Sequence, residues 1–205
     1  TLGDVTRWKA KLDNWQELHP GAKLYQSDKV RTGEESEVVF GFPDGSSISI
    51  AEKTEVELVN LFEPNDEGGF ETQIDINKGF LNFAVHKLKD KKSKFIFKTG
   101  TATASIRGTE GYIGGEGVFF AGLKTGKLEI TPKGSSKPVS IIAGETTFGT
   151  DSLVVVKLVS SGNARFARTL EKILSDKSKS VKVLQDEILK ADTVFQEQLK
   201  EEEKK

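Results

Sequence analysis

Residues 38–50 read Val-Val-Phe-Gly-Phe-Pro-Asp-Gly-Ser-Ser-Ile-Ser-Ile, and this stretch decides the class of fold. Large apolar side chains occupy every second position in residues 38–42 and again in residues 48–50. The turn residues 43–46 between them contain Asp44-Gly45, which is a strong hairpin signal when it joins two alternating runs. We therefore predict a β-hairpin here, with positive φ angles at both Asp44 and Gly45.

The same period of two recurs along most of the chain. Further alternating segments lie at residues 56–60, 74–76, 81–85, 95–97, 102–106, 118–120, 128–130 and 139–141. Turn residues separate them every 8–12 positions or so, a spacing typical of all-β domains. The predicted fold is mainly β, a curled β-sandwich or a short β-helix-like roll of about a dozen short strands, with α-helices at the C-terminus.

Glycine and proline divide the chain into two regions. Of the 20 glycines, 19 lie at or before Gly149, and all five prolines lie at or before Pro138. The 43 residues after Gly162 contain neither type, and 19 of them are charged. Because glycine and proline interrupt helices, their absence permits long ones. We predict a β domain over residues 1–160 and a helical appendage over residues 161–205.

An apolar stripe runs along the predicted C-terminal helix. Val181, Leu184, Ile188, Ala191 and Phe195 follow one another at intervals of three or four residues, which places them on one face. The stripe either packs back on the β region or forms a partner face, which would consist of Val181, Leu184, Ile188 and Phe195. The second alternative includes self-association through this helix.

Composition excludes several kinds of chemistry. The chain has 30 basic and 31 acidic residues, no cysteine and two histidines. Disulfides, thiolate catalysis, cysteine-bound zinc and iron–sulfur clusters are therefore excluded. The longest aliphatic run, residues 153–156, is far too short to span a membrane. We expect no enzyme activity, no cofactor, no metal site and no nucleic-acid partner.

Isolated candidates for chemistry each have a simpler explanation. His19 and His86 fall at predicted turns or strand ends, where exposed histidines are common. The glycine-rich stretch 108–117 lacks the Gly-Lys-Ser/Thr of a phosphate loop and precedes a strand rather than a helix. The acidic loop 63–69 offers oxygen ligands suited to calcium, but its spacing does not match an EF-hand.

Two further features are candidates for contacts with other molecules. The basic run of Lys87, Lys89, Lys91, Lys92 and Lys94 could meet anionic lipid, glycan or nucleic acid, or could be a solvated hairpin tip. Trp8 and Trp15 could form a platform for sugars or could stabilise the start of the β region.

Several motifs in a fixed order resemble the FecR-like domain family, which is named for the periplasmic regulator of ferric dicitrate transport. The similarity runs from Gly3 to about Gly114. It comprises Gly3-Asp4-Val5, Trp15-Gln16-Glu17-Leu18, Gly21, Leu24, Asp28-Lys29-Val30-Arg31-Thr32-Gly33, Ser36, the stretch 38–46, Ile76–Val85, Phe95 with Lys98-Thr99, and residues 104–110. The family-signature residues are Thr32, Gly33, Asp44, Gly45, Ser46, Thr99, Arg107, Gly108 and Thr109.

The resemblance implies a mostly β, non-enzymatic domain of the bacterial envelope. In the namesake proteins this domain relays a signal from an outer-membrane transporter to a cytoplasmic anti-sigma segment. For this chain we expect a non-catalytic, exported protein-binding or scaffold module of the periplasm or cell envelope, with a targeting segment before Thr1. The alternatives are a component of a sigma/anti-sigma relay, or a carbohydrate- or peptidoglycan-binding module that uses Trp8, Trp15 and the lysine run.

Elementary chemistry gives the signature residues structural tasks. Threonine at a strand end can satisfy a turn amide, and glycine suits positive φ angles. Arg107, beside Thr109 and Glu110, is expected to form a charge pair that joins neighbouring strands. The alternative for Arg107 is a contact with a ligand or partner.

Overall fold

A computed structural model describes residues 1–9, 12–87, 90–176 and 178–204. The strands in these residues are β1 (Val5–Lys9), β2 (Asn14–Glu17), β3 (Lys29–Thr32), β4 (Val38–Gly41), β5 (Ser47–Ile50), β6 (Glu55–Pro64), β7 (Phe70–Lys78), β8 (Phe80–Val85), β9 (Lys94–Lys98), β10 (Ala102–Ile106), β11 (Thr109–Gly114), β12 (Phe119–Thr125), β13 (Lys127–Pro132), β14 (Val139–Ile142), β15 (Glu145–Gly149) and β16 (Leu153–Lys157). The helices are α1 (Ala164–Leu174) and α2 (Val181–Glu202).

The strands form two sheets that pack face to face, so the predicted mainly-β sandwich with C-terminal helices is confirmed. A nine-stranded sheet has the order β14-β13-β10-β9-β7-β6-β3-β1-β2, and a seven-stranded sheet has the order β16-β15-β12-β11-β8-β5-β4. Neighbours are antiparallel apart from β7 and β9, which run parallel. The described strands outnumber the predicted dozen partly because β11 and β15 are buried on both faces and do not alternate.

The core between the sheets consists of the alternating side chains that the sequence shows. Val30, Val56 and Ile74 come from the nine-stranded sheet, and Ile48 and Leu81 come from the seven-stranded sheet. All five side chains are at most 1% exposed. Full burial of one such side chain contributes roughly 1.5–3 kcal/mol, so this layer supplies most of the stability of the sandwich.

The hairpin of β4 and β5 forms as predicted, but its turn differs in one respect. Gly45 has a φ angle of +87°, whereas Asp44 is not among the residues with positive φ. The Gly45 N–H donates to the carbonyl of Phe42 at 3.0 Å, and the Asp44 carboxylate accepts from the Ser46 N–H at 2.9 Å. The prediction of two positive φ angles is wrong because the loop is longer than two residues and needs only one left-handed residue.

The helices cover the outer face of the seven-stranded sheet at its centre. A second apolar cluster joins Phe80, Tyr112 and Phe120 of the sheet to Phe166 of α1 and Ile188 of α2. The Phe166 and Phe195 rings lie 5.4 Å apart between their centres. Helix α1 begins only seven residues after β16 ends, yet both helices share this core with the sheet. The division into domains 1–160 and 161–205 stays a prediction.

Most of the apolar stripe of α2 packs back on the chain itself. Leu184, Ile188 and Phe195 are buried in the second cluster, whereas Val181 is 50% exposed. A partner could reach the three buried side chains only if α2 left the sheet. Their predicted role as a partner face therefore stays a prediction, and it requires a second conformation.

Tyr112 links the sheet to the start of the helices. Its ring lies against Gly122 on the neighbouring strand, where a Cβ atom would come within 2.3 Å of the tyrosine Cζ. The Tyr112 hydroxyl is hydrogen-bonded to Thr146 at 2.9 Å, and the Thr146 hydroxyl to that of Ser161 at 2.8 Å. Burial raises the pKa of Tyr112 well above its ordinary value, so the phenol stays neutral and keeps its proton for this chain of bonds.

Within the described residues, neither helix combines the length and the apolar character needed to cross a membrane.

Gly122→Ala is expected to lower the free energy of unfolding by about 1–3 kcal/mol, because the added methyl group forces the buried Tyr112 ring to move. Gly41→Ala is the matched control, since a Cβ atom at this strand position meets nothing within 4 Å. Urea unfolding of both variants measures the difference. Equal stability of the two variants would contradict the packing described for Tyr112.

Glu171→Gln is expected to raise the free energy of unfolding at pH 7. Burial in α1, and secondarily the nearby Glu52 carboxylate, raise the pKa of Glu171. A carboxyl group of this kind adds stability when protonated, and the wild type loses that stability as the pH rises through the pKa of the folded state. The advantage of the variant should therefore disappear below about pH 4.3, the ordinary value for glutamate.

Unfolding curves at several pH values measure this difference, with the exposed Glu197→Gln in α2 as control. An advantage of Glu171→Gln that persisted at low pH would show that the carboxyl group acts through its shape and not through its charge.

Candidate protein-binding surface

A groove lies beside the helices on the outer face of the seven-stranded sheet. Its volume is about 540 Å³. Strands β5, β8 and β11 form its floor, and residues 159–164 with the C-terminal part of α2 form one wall. The side toward β4, the edge strand of the sheet, carries only Val39.

The floor of the groove is polar because its residues alternate with the buried core positions. Ser49 lies opposite Asn82, which in turn lies opposite Tyr112. The Ser49 hydroxyl donates to the Glu37 carboxylate. The Asn82 Oδ1 atom is buried without a hydrogen-bond partner among the described residues. Small polar side chains at this end of the sheet leave the groove open where the helices do not cover it.

An ion pair marks the rim of the groove. Lys124 Nζ lies 2.8 Å from the Glu110 carboxylate, and both side chains are largely exposed. A pair of this kind contributes little to stability in water, so its charges are available for contacts with another molecule.

Asp192 holds the wall of the groove in place. Its carboxylate accepts from the backbone N–H groups of Val159 at 3.0 Å and Ser160 at 2.8 Å. Gln196, one turn further along α2, donates to the Ser160 hydroxyl at 2.7 Å. Asp192 is absent from the predicted sites, although the sequence carries a signal: it lies four residues after Ile188 and three before Phe195, as a charge on the apolar stripe.

The signature threonines bond to nearby backbone. Thr32 Oγ1 is buried, donates to the carbonyl of Ala51 at 2.5 Å and accepts from the Thr54 N–H at 3.0 Å. Thr99 Oγ1 accepts from the Ala102 N–H at 3.1 Å. These contacts satisfy turn amides, which is the task that the sequence predicted for threonine.

The signature residues Asp44, Gly45 and Ser46 join the hairpin turn to the end of β8. Ser46 Oγ donates to the Asp44 carboxylate at 3.0 Å and accepts from the His86 N–H at 3.0 Å. A Cβ atom on Gly45 would come within 3.3 Å of the His86 ring. His86 thus lies against the turn.

Arg107 does not form the expected charge pair. Its guanidinium donates to the carbonyls of Asp90 at 3.4 Å and Ser93 at 3.3 Å, while Glu110 pairs with Lys124. The side chain therefore joins two chain segments through carbonyl oxygens. The other signature residues nearby also contact backbone: Thr109 Oγ1 donates to the carbonyl of Lys127, Gly108 packs against Lys87, and Gly33 donates to the carbonyl of Asp4.

The two tryptophans lie opposite each other on β1 and β2. Lys29 lies 5.2 Å from the centre of the Trp8 ring, and the Arg31 guanidinium lies 4.2 Å from the centre of the Trp15 ring. Each ring therefore has one face covered by a cation of the chain itself. A sugar platform would have only the remaining faces.

The acidic loop and the lysine run contact each other. Glu67 pairs with Lys94, and Asn65 Oδ1 accepts from the N–H groups of Glu67 and Gly69. Lys89 of the predicted basic run lies outside the described residues. Among the residues that the structure describes, histidine, aspartate and glutamate nowhere assemble a group of three suited to a metal ion.

Asp192→Ala is expected to lower the free energy of unfolding by about 2–4 kcal/mol, because two backbone N–H groups lose a charged acceptor. Asp192→Asn should lose less, since its carboxamide oxygen still accepts one bond. Asp186→Ala, on the exposed side of α2, is the matched control. Thermal unfolding of the three variants tests the assignment, which would be wrong if Asp192→Ala and Asp186→Ala behaved alike.

Comparisons with solved structures support the observed architecture. Two crystal structures of a candidate anti-sigma factor from Parabacteroides distasonis superpose with a TM-score of 0.52 at 15% sequence identity. The similar region covers 63% of this chain and 59% of the other protein. This chain thus spans less than two thirds of the length of its structural neighbour, and at this identity the similarity establishes the fold alone. No curated protein matches the sequence.

A sequence comparison matches a family model to part of the chain. Residues 28–119 match the family model described as FecR protein. The matched residues run from just before β3 to the start of β12 and contain the hairpin of β4 and β5 and the signature residues from Thr32 to Thr109. The resemblance predicted from the motifs is therefore confirmed, and residues 28–119 of this chain are similar in sequence to the FecR family.

Proposed function

We propose that the chain is a non-catalytic regulatory module that acts by binding proteins in a bacterial sigma/anti-sigma relay. The observation that carries this proposal is the FecR match over residues 28–119. The fold shared with a candidate anti-sigma factor favours the relay over a scaffold without a signalling role, which was the first expectation from the sequence.

The geometry of the surface is consistent with binding rather than catalysis. The groove joins small polar side chains to an exposed ion pair, Glu110–Lys124, at its rim. A polar, solvent-accessible rim is typical of surfaces that recognise proteins. The signature side chains bond mainly to the backbone of the chain, whereas the groove is open to a partner.

The proposed location is the bacterial cell envelope, because FecR-type proteins are associated with it. A carbohydrate-binding role has less support, since Lys29 and Arg31 already cover one face of each tryptophan ring.

Deletion of the gene in its native bacterium is expected to change the transcripts that depend on one sigma factor. Coupling between two binding sites of a protein is typically worth about 1–3 kcal/mol, which changes a binding equilibrium about 5- to 150-fold. We therefore expect these transcripts to change at least about fivefold. RNA sequencing with and without envelope stress measures the change. An unaltered transcriptome under every stress would contradict the relay.

Complementation then tests whether the groove takes part. Ser47→Arg places a long cation on the floor of the groove and is expected to abolish complementation. Ser105→Arg is the matched control, because it makes the same change on an exposed position of the nine-stranded sheet. Full complementation by Ser47→Arg would exclude the groove as the partner surface.

A further inference from the structure

The edge strand β4 exposes unpaired backbone groups. In an antiparallel pair, every second residue of a strand is hydrogen-bonded to the neighbouring strand. The Phe42 N–H donates to the carbonyl of Ser46, so the next residue of β4 that bonds to β5 is Phe40. Val39 and Gly41 lie between these positions, so their N–H and C=O groups point away from β5. These four groups have no partner among the described residues.

Leu2 shows that this edge accepts another strand. The Leu2 N–H donates to the carbonyl of Glu37 at 2.7 Å, and the Glu37 N–H donates to the carbonyl of Leu2 at 2.8 Å. Glu37 has the same parity as Val39 and Gly41, so Leu2 lies on the free side of the strand, in antiparallel orientation. Leu2 thereby marks one end of the open edge.

The surface next to this edge has room for side chains. Val39 is 62% exposed, and a Cβ atom on Gly41 would meet nothing within 4 Å. The neighbouring strand presents only Ser47 and Ser49 on the same face, beside the groove. A strand added to β4 could therefore lay alternate side chains over Gly41 and toward the groove.

The charge of the hairpin specifies the partner. Residues 34–52 contain Glu34, Glu35, Glu37, Asp44 and Glu52 but no lysine or arginine, although the whole chain has a net charge of only −1. Lys53, the next residue, pairs with Glu34 at 2.7 Å, so the excess negative charge comes from the other four carboxylates. Exposed edges are commonly protected by lysine, and this one is not. A second copy of the hairpin would bring like charges together, whereas a cationic strand is complementary.

We propose that β4 binds an extended, lysine- or arginine-rich segment of a partner protein, which adds an eighth strand to the seven-stranded sheet. The backbone groups of Val39 and Gly41 provide the hydrogen bonds, and the carboxylates of residues 35–52 select the charge. This inference rests on the proposed protein-binding function and assigns the surface and the chemistry of the partner.

A synthetic ten-residue peptide of alternating lysine and valine is the probe. Its binding to the full chain, measured by fluorescence anisotropy, is expected to weaken as salt is added, because the charges involved are exposed. A peptide with glutamate in place of lysine should not bind. A lysine–valine peptide with N-methyl groups at alternate residues should bind at least about fivefold more weakly, since it has lost main-chain donors.

Two proline variants test the position of the peptide. Val39→Pro removes an outward N–H group while leaving the bonds between β4 and β5, and should weaken binding roughly fivefold. Val155→Pro is the matched control: it lies on β16, the other edge of the same sheet, and its position in the ladder also directs its N–H outward. Circular dichroism confirms that both variants fold.

Hydrogen exchange supplies a second readout. Peptide binding is expected to slow exchange at the Val39 and Gly41 amides and to leave the Phe40 amide, which already bonds to β5, unchanged. Equal binding by Val39→Pro and wild type, equal binding of the glutamate peptide, or protection at Val155 would overturn the proposal. Slow exchange at Val39 and Gly41 in a dimer formed without peptide would overturn it in favour of self-association.

The outcome is separable from that of the deletion experiment. Changed transcripts without peptide binding would retain the relay and exclude β4 as its surface. Peptide binding without changed transcripts would retain the surface and exclude the relay.

Discussion

Burial of the seven-stranded sheet on both faces is the constraint on which the rest of the structure depends. One face packs on the nine-stranded sheet, and the other is covered by α1 and α2 at the centre of the sheet. Apolar side chains on both faces of β11 and β12 would otherwise lie in water, at a cost of roughly 1.5–3 kcal/mol for each large one. The helices are therefore part of the core.

The contact between Tyr112 and Gly122 shows how closely the side chains pack between the seven-stranded sheet and the helices. The ring needs a neighbour without a side chain, and its hydroxyl needs the bonds to Thr146 and Ser161 that lead to the helices. Asp192 fixes the other end of the same connection. The helices do not cover the whole sheet, and the uncovered part carries serines, an ion pair and the open edge of β4. The proposed binding surface is the part of the outer sheet face that the second core leaves exposed.

Particular elements show how far the sequence alone leads. The hairpin of residues 38–50 follows from local rules, because alternation and a turn glycine act over a few residues. Strands β15 and β16 escaped prediction because double burial and an exposed edge weaken alternation. Arg107 was expected to form a charge pair, but the fold brings its guanidinium to backbone carbonyls, since sequence proximity does not determine which segments meet in space. Asp192 is visible in the sequence as a charge on the apolar stripe, but its partners are not, because they lie 32 and 33 residues away.

The sequence by itself determined the β class, the helical C-terminus, the scarcity of reactive groups and the FecR-type motifs, because each depends on local periodicity or composition. Only the tertiary structure decided that the stripe of α2 faces the sheet, that the signature residues bond mainly to the backbone, and that β4 is an edge. These outcomes depend on the order of strands within a sheet. They also depend on whether the apolar face of α2 packs on the chain itself or on a partner. Such choices are made by contacts between distant segments, whose total free energy no single stretch of sequence reveals.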